Sequence, residues 1–229
     1  YHQGVFLSGL YQNYLLCKEE RYYDYIKTWV DSIIEEDGSI NYHYPNQLDD
    51  LQPGILLYPI LDRTNDERYK KALDTIVDTI KNFQRNEVGG FWHKERYPNQ
   101  MWLDGLYMEG PICAEYGKRY NVPEYTELVI EQVLLMEKYT KDEETGLWYH
   151  AWDCSREMDW ADPLTGKSPE FWGRAIGWVL IAILDDLDFI NNEHPLYEVL
   201  CDMVRNLIKA VVNYQSDSGL WYQVVDQAH

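Results

Sequence analysis

Apolar positions recur along this chain in one repeated helical pattern. Tyr22 is followed by Tyr25, Ile26, Trp29, Val30 and Ile33, and Tyr69 by Ala72, Leu73, Ile76, Val77 and Ile80. Tyr125 leads Leu128, Val129, Val133 and Met136, and Tyr197 leads Leu200, Cys201, Val204 and Ile208. Steps of three and four residues put such side chains on one stripe of an α-helix, so the spacing predicts four amphipathic helices, each half-exposed. Each ends in polar residues and a turn containing glycine: Asp37-Gly38, Gly89-Gly90-Phe91-Trp92, Thr145-Gly146-Leu147-Trp148-Tyr149 and Ser218-Gly219-Leu220-Trp221-Tyr222. Glycine reaches the positive φ that helix ends and tight turns need.

Between these helices lies a second type, expected over 4–17, 50–65, 103–120 and 170–190. These stretches are apolar on nearly every side and carry Gly4, Gly9, Gly54, Gly105, Gly110, Gly173 and Gly177, the pattern of helices buried and packed closely. The chain therefore reads as all-α, about four helical hairpins, each pairing a buried helix with a half-exposed one. Hairpins of this kind either stack into a solenoid or close into a double-ring barrel. The leading tyrosines are 47, 56 and 72 residues apart, too irregular for a solenoid array. The extra residues fall in the loops ahead of the buried helices, which favours a barrel with a site at one mouth.

Composition narrows the picture. A chain of 229 residues with 45% hydrophobic side chains suits a single sizeable domain with a real core, here taken as one catalytic domain over 1–229. No apolar run is long enough for a membrane helix, and the lack of an initiator Met or signal peptide suggests a processed or trimmed fragment. The formal charge of −19 argues against nucleic acid and against anionic membrane as partners. A small acidic ligand would need a local basic pocket against that field. Cys17, Cys113, Cys154 and Cys201 form no C-x-x-C pair and no zinc spacing, so they read as free thiols that say little about compartment. The 20 Tyr and 9 Trp outnumber the 5 Phe, a bias seen in sugar-binding clefts and equally in aromatic-rich helical cores.

Candidate chemistry sits in three loops. The first runs Asn41-Tyr42-His43-Tyr44-Pro45-Asn46-Gln47-Leu48-Asp49-Asp50. The second holds Phe91-Trp92-His93-Lys94 and leads to Trp102 and Asp104; the third holds Trp148-Tyr149-His150-Ala151-Trp152-Asp153 and leads to Trp172, Arg174 and Trp178. Asp104 lies in Met101-Trp102-Leu103-Asp104-Gly105-Leu106-Tyr107-Met108, with apolar neighbours on both sides. A carboxyl removed from water holds its proton more tightly, as a general acid must, although an Asp here is also a good helix N-cap. Arg174 at a helix start opposes the helix dipole and needs an anionic partner, either a structural carboxylate or, as favoured, a bound one. His93 and His150 fit structural and ligand-facing roles equally, Asp153 fits a local loop hydrogen-bonder, and Asp162-Pro163 a turn. Asp49 and Asp104 begin successive buried helices, so neighbouring hairpins would bring two carboxyls together. No ligand spacing supports a metal, and no cofactor is implied.

Three of these motifs, taken together, resemble glycoside hydrolase family 105, the unsaturated rhamnogalacturonyl hydrolases. They are Met101 to Met108, His150-Ala151-Trp152-Asp153, and Ser168-Pro169-Glu170-Phe171-Trp172-Gly173-Arg174-Ala175-Ile176-Gly177-Trp178. The unsaturated glucuronyl hydrolases of family 88 share the Asp and the Trp-x-Arg-x-x-x-Trp pattern. The resemblance runs the length of the chain and implies an (α/α)6 barrel of six hairpins. It implies hydrolysis at a 4,5-unsaturated uronic acid left by a polysaccharide lyase: an acid protonates C4, water adds at C5, and the hemiketal collapses to release the next sugar. By motif position Asp104 would be the acid/base and Asp49 its partner carboxylate. Arg174, His150, Lys94 and His93 would face the uronate, and Trp102, Trp172 and Trp178 would line the ring. A bacterial cytoplasm or periplasm would be the setting, with nothing in the residues to choose. About four hairpins stop short of six, so closing elements at the C-terminal side are expected to be missing, and the open edges, around Val5, Phe6 and Leu10 and after Gly219, to favour self-association. The other readings are a different (α/α)6 sugar enzyme, such as an epimerase or ordinary glycosidase, and a non-enzymatic helical-repeat binding module.

Overall fold

The computed structural model describes residues 1–41 and 46–227. His43, in the first loop, lies outside the described residues. Eight α-helices and one two-stranded sheet occur among the described residues, in two compact units, Tyr1–Asn82 and Phe83–His229.

The first unit contains α1 (His2–Cys17), α2 (Glu20–Asp31), α3 (Leu57–Thr64) and α4 (Glu67–Lys81). The Tyr-led pattern forms helices as its periodicity predicts: α2 buries Tyr23, Ile26 and Val30, and α4 buries Tyr69, Leu73, Ile76 and Ile80. Three expectations need correction. Tyr25 lies off the buried stripe and is 59% exposed. The stretch expected as one buried helix over 50–65 is instead two 3₁₀ turns, Leu48–Asp50 and Gln52–Leu56, followed by a short α3. Pro53 has no N–H to give a continuing α-helix, and Gly54 beside it loses the most entropy on ordering, so the tighter turns win. Nor is α1 buried on most sides: only Gly4 and Leu7 are, while Phe6 and Leu16 are 65% and 84% exposed. Close packing holds where α1 meets the turns, since a Cβ at Gly4 would fall 2.9 Å from the Pro53 Cα.

The second unit holds β1 (Gln100–Trp102), α5 (Asp104–Tyr120), α6 (Pro123–Thr140), β2 (Ala151–Asp153), α7 (Gly173–Leu187) and α8 (Tyr197–Val212). α5 is buried along most of its length, as its composition predicts, and α6 buries Tyr125, Val129, Val133 and Met136. α7 buries Ala175, Ile176, Val179, Ala182 and Ile183 but leaves Ile181 and Leu184 exposed, and Ile208 of α8 is exposed as well. Leu220, Trp221 and Tyr222 are also exposed. The four predicted glycine turns all reach positive φ, at Gly38, Gly89, Gly146 and Gly219. After α2, α4 and α6 the turn is closed by a short antiparallel bridge, Ile34 with Ile40, Arg85 with Phe91, and Lys141 with Trp148. The tight connections within three hairpins use non-glycine left-handed residues instead: Lys18, Asn65 and Asn121, whose N–H groups bond Tyr14, Leu61 and Gly117 carbonyls. Among the described residues no helix is long and apolar enough to cross a membrane.

Candidate active site

The site in the second unit is built by two three-residue strands. β1 and β2 pair antiparallel, with Met101 opposite Trp152 and Trp102 opposite Ala151. One further hydrogen bond, from the Leu103 N–H to the His150 carbonyl at 3.0 Å, ties the start of α5 to the residue before β2. This sets Asp104 against His150: His150 Nε2 lies 3.2 Å from Asp104 Oδ2. Upstream, buried Gln132 of α6 holds the Gly89–Phe91 turn, accepting from the Phe91 N–H and donating to the Gly89 carbonyl. The His93 N–H donates to the Gln100 carbonyl, closing the base of the loop that carries Lys94 and Tyr97.

The third side comes from α7. Residues 223–225 pair with 171–173, where the Gly173 N–H bonds the Gln223 carbonyl at 2.8 Å and the Val225 N–H bonds Phe171 at 2.9 Å. This strap fixes the first turn of α7, and Arg174 in that turn reaches Asp104 Oδ1 with Nη1. Asp104 thus has one oxygen on a guanidinium and the other on an imidazole. Its side chain is 5% exposed, whereas that of Arg174 is 41% exposed. Burial pushes the His150 imidazole down to about 4, so it is neutral near pH 7.

These contacts bear on two alternatives. Leu103, not Asp104, occupies the N-cap of α5, and no side-chain cap bond forms there, so the capping role falls away. Arg174, whose place at a helix start calls for an anionic partner, has the carboxylate of Asp104 beside it. Asp153 behaves as expected: fully buried, it accepts from Ser155, Glu157 and Met158 amides and shapes its own loop.

Aromatic rings wall the acid. Trp102 stacks with buried His93 at 4.8 Å and with Tyr97 at 5.1 Å, and meets His150 edge-on at 5.2 Å. His150 stacks on Trp172 at 6.3 Å. The Trp172 Nε1 is buried and makes no hydrogen bond among the described residues. Trp178 stacks on Tyr107 at 4.8 Å, joining α7 to α5. Asp104, His150, Arg174, Trp102, His93 and Trp172 therefore form one contiguous cluster. Lys94 is half-buried beside His93. Asp49 is buried in the first 3₁₀ turn of the other unit.

Three supporting residues escaped the sequence reading: Tyr97, Gln100 and Tyr107. Gln100 is buried and its Oε1 accepts from Trp102 Nε1 at 3.0 Å, orienting the indole. The alternation Gln100, Trp102 on one strand face was a usable signal. So was the spacing of Tyr107 three residues after Asp104 and Trp178 four after Arg174, which puts each aromatic above its charged neighbour on the same helix face.

Among the described residues no cluster of three or more His, Cys, Asp or Glu could hold a metal ion.

The model of Glycosyl Hydrolase Family 88 matches residues 1–229. The chain belongs to that family. Unsaturated rhamnogalacturonyl hydrolase YesR of Bacillus subtilis is 28% identical over 229 residues, covering 97% of this chain and 63% of YesR. A solved family 105 glycoside hydrolase of C. acetobutylicum superposes with a TM-score of 0.94 at 36% identity, covering 98% of this chain and 63% of that one. The unsaturated glucuronyl hydrolase of Bacillus sp. GL1 shares the fold, with a TM-score of 0.74 at 16% identity over 98% of this chain and 60% of its own. The fold class that the resemblance implied, that of the (α/α)6 enzymes, is thereby shown for this family 88 chain, in agreement with the hairpin pattern. It spans about three-fifths of the length of these relatives.

Proposed function

We propose that the protein is a glycoside hydrolase that removes a 4,5-unsaturated uronic acid from the non-reducing end of lyase-generated oligosaccharides, with unsaturated rhamnogalacturonan as the leading substrate class. The observation that carries this reading is a buried carboxyl, Asp104, held between an exposed guanidinium and a neutral imidazole and walled by tryptophans. The relatives' names point to the same substrate class. An acidic protein has little reason to keep an exposed arginine at a pocket of this kind unless the ligand is anionic.

In this reading the uronate carboxylate sits on Arg174, and His150, His93 and Lys94 face it as well. Trp102, Trp172 and Trp178 line the sugar ring, and the buried Trp172 N–H donates to a ring substituent. Asp104 protonates C4 of the C4=C5 bond, water adds at C5 and returns a proton to Asp104, and the hemiketal opens to release the next sugar. One water is consumed. By its motif position Asp49 is carried over as a second candidate carboxyl, and residues 1–229 are taken as one catalytic domain. The test is incubation of the intact protein with unsaturated disaccharides from a rhamnogalacturonan lyase digest, following loss of the absorbance of the conjugated acid. Consumption of these, with saturated disaccharides untouched, supports the reading. Cleavage of saturated substrates at a comparable rate, or of neither, overturns it.

A further inference from the structure

We propose that Arg174 couples protonation of Asp104 to the arrival of the substrate's carboxylate, so that the catalytic acid is charged with its proton only when a uronate is in place. This deepens the uronyl reading and rests on it.

The inference starts from an asymmetry. Asp104 is almost wholly out of water, and among the described residues Arg174 is the cation that touches it. His150, at 3.2 Å and neutral near pH 7, meets its other oxygen, and His93 and Tyr97 lie beyond the Trp102 ring. Asp104 is also the first residue of α5, where the helix amides favour negative charge. With Arg174 in contact the carboxylate form is therefore the favoured one, and a carboxylate cannot give a proton to C4. An empty site in this state is poised as a base, not as an acid.

Arg174 is free to change partner. Its side chain is the exposed half of the pair, it sits in the first turn of α7 where a helix repels a cation, and Asp104 is what offsets that cost. A substrate carboxylate entering from solvent can take the guanidinium fork in two parallel hydrogen bonds. Asp104 then loses its counter-charge while remaining buried. An unpaired carboxylate in such a place is costly, and it escapes the cost by binding a proton. The exchange balances: the Asp104–Arg174 ion pair, a uronate anion and one proton become neutral Asp104 and an Arg174–uronate ion pair. That proton is the one delivered to C4, and the attacking water replaces it. A neutral sugar of the same shape leaves the ion pair intact and the acid unarmed, so the substrate's charge is read twice, once in binding and once in activation.

The experiment is calorimetric titration of the intact protein near pH 7 with a saturated uronic acid disaccharide, which binds without reacting, in two buffers of different ionisation enthalpy. Roughly one proton should be taken up per uronide bound. In Arg174→Gln the uptake should disappear, because Asp104 is then protonated before binding. Steady-state profiles with the unsaturated disaccharide add an independent reading. The alkaline limb, where the acid is lost, should lie at least about one pH unit higher in kcat than in kcat/KM, since the two report the complex and the free enzyme. Turnover with no proton uptake and coincident limbs would overturn the coupling and leave the uronyl reading standing. Failure to bind saturated uronide, together with no turnover of the unsaturated one, would overturn the uronyl reading itself.

Discussion

Two of the buried acids of helix α5 lie five residues apart, and their surroundings could hardly differ more. Asp104, at its first turn, has an arginine on one oxygen and a histidine on the other. Glu109, deeper in the same helix, faces Asp186 of α7 in an apolar interior; both are 1% exposed. Three of the four carboxyl oxygens of that pair make no hydrogen bond among the described residues. Gly110 makes room for it, since a Cβ there would fall 3.0 Å from both Asp186 oxygens. Burial first, then the neighbouring acid, pushes Glu109 well above the usual carboxyl range, with Arg85 pulling weakly the other way. Burial and then Asp185 do the same to Asp186, and Cys113 is an inert thiol held far from ionising by burial and by both acids. A carboxyl that is only buried becomes neutral and idle. One whose counter-ion reaches solvent can be switched by whatever that counter-ion binds.

The hardest blow to this contrast is Asp104→Asn. If Asp104 is the proton donor, turnover of unsaturated disaccharide should fall by roughly 10²–10⁴ while saturated uronide still binds. More than a tenth of wild-type kcat would make Asp104 merely another buried acid.

The idle pair should instead reveal itself in stability. Its folded-state values are raised above the unfolded ones, so the folded chain holds protons that the unfolded chain has released. That stability is fully present below about pH 4, the unfolded carboxyl range, and is lost as pH rises through the folded values. Each proton so held costs about 1.4 kcal/mol per pH unit. Urea melts from pH 5 to 8 should show Asp186→Asn losing less stability with rising pH than wild type; equal slopes would mean the pair is ionised or solvated. His150 works in the opposite sense. Its value, lowered to about 4 by burial, gives stability that is present above the unfolded histidine range and lost as pH falls through it.

A smaller effect is expected at the switch itself. Arg174→Lys keeps the charge but loses the two-pronged fork, and KM for unsaturated disaccharide should rise about tenfold. An unchanged KM in a folded variant would assign Arg174 to structure alone. The smallest effect should come from the strap. A Cβ at Gly173 would meet the Tyr222 carbonyl at 3.2 Å and that of Gln223 at 3.4 Å, displacing the turn that carries Arg174. For Gly173→Ala we expect about a threefold rise in KM with the melting transition kept, as a small misplacement implies; no change would show that the strap does not position the arginine.

Much of this molecule was legible before any coordinates. The eight helices and their glycine turns follow from local causes: three-and-four spacing of apolar side chains, and the positive φ that glycine tolerates. The motif around Asp104 and the His150 and Arg174 segments stood out by residue type. Where the reading failed, either a local helix breaker had been passed over or a neighbour distant in sequence had decided. Pro53 and Gly54 broke an expected helix into 3₁₀ turns, and Ile181 and Leu184 of α7 look buried by composition but face outward. Tyr97, Gln100 and Tyr107 gained their roles only through stacking and a side-chain bond.

The sequence by itself determined the helical hairpins, the family and the chemical types available at the site, because these depend on periodicity and on motifs whose residues are close in the chain. Tertiary structure alone decided which buried acid has a counter-ion in contact and which, among the described residues, has none. Arg174 lies 70 residues from Asp104 along the chain and His150 lies 46, and the pairing exists because two short strands and the 223–225 strap converge on one point. No local pattern encodes such a meeting: a carboxyl's charge is set by what surrounds it in space, and burial with and without a counter-ion gives opposite outcomes for the same side-chain chemistry.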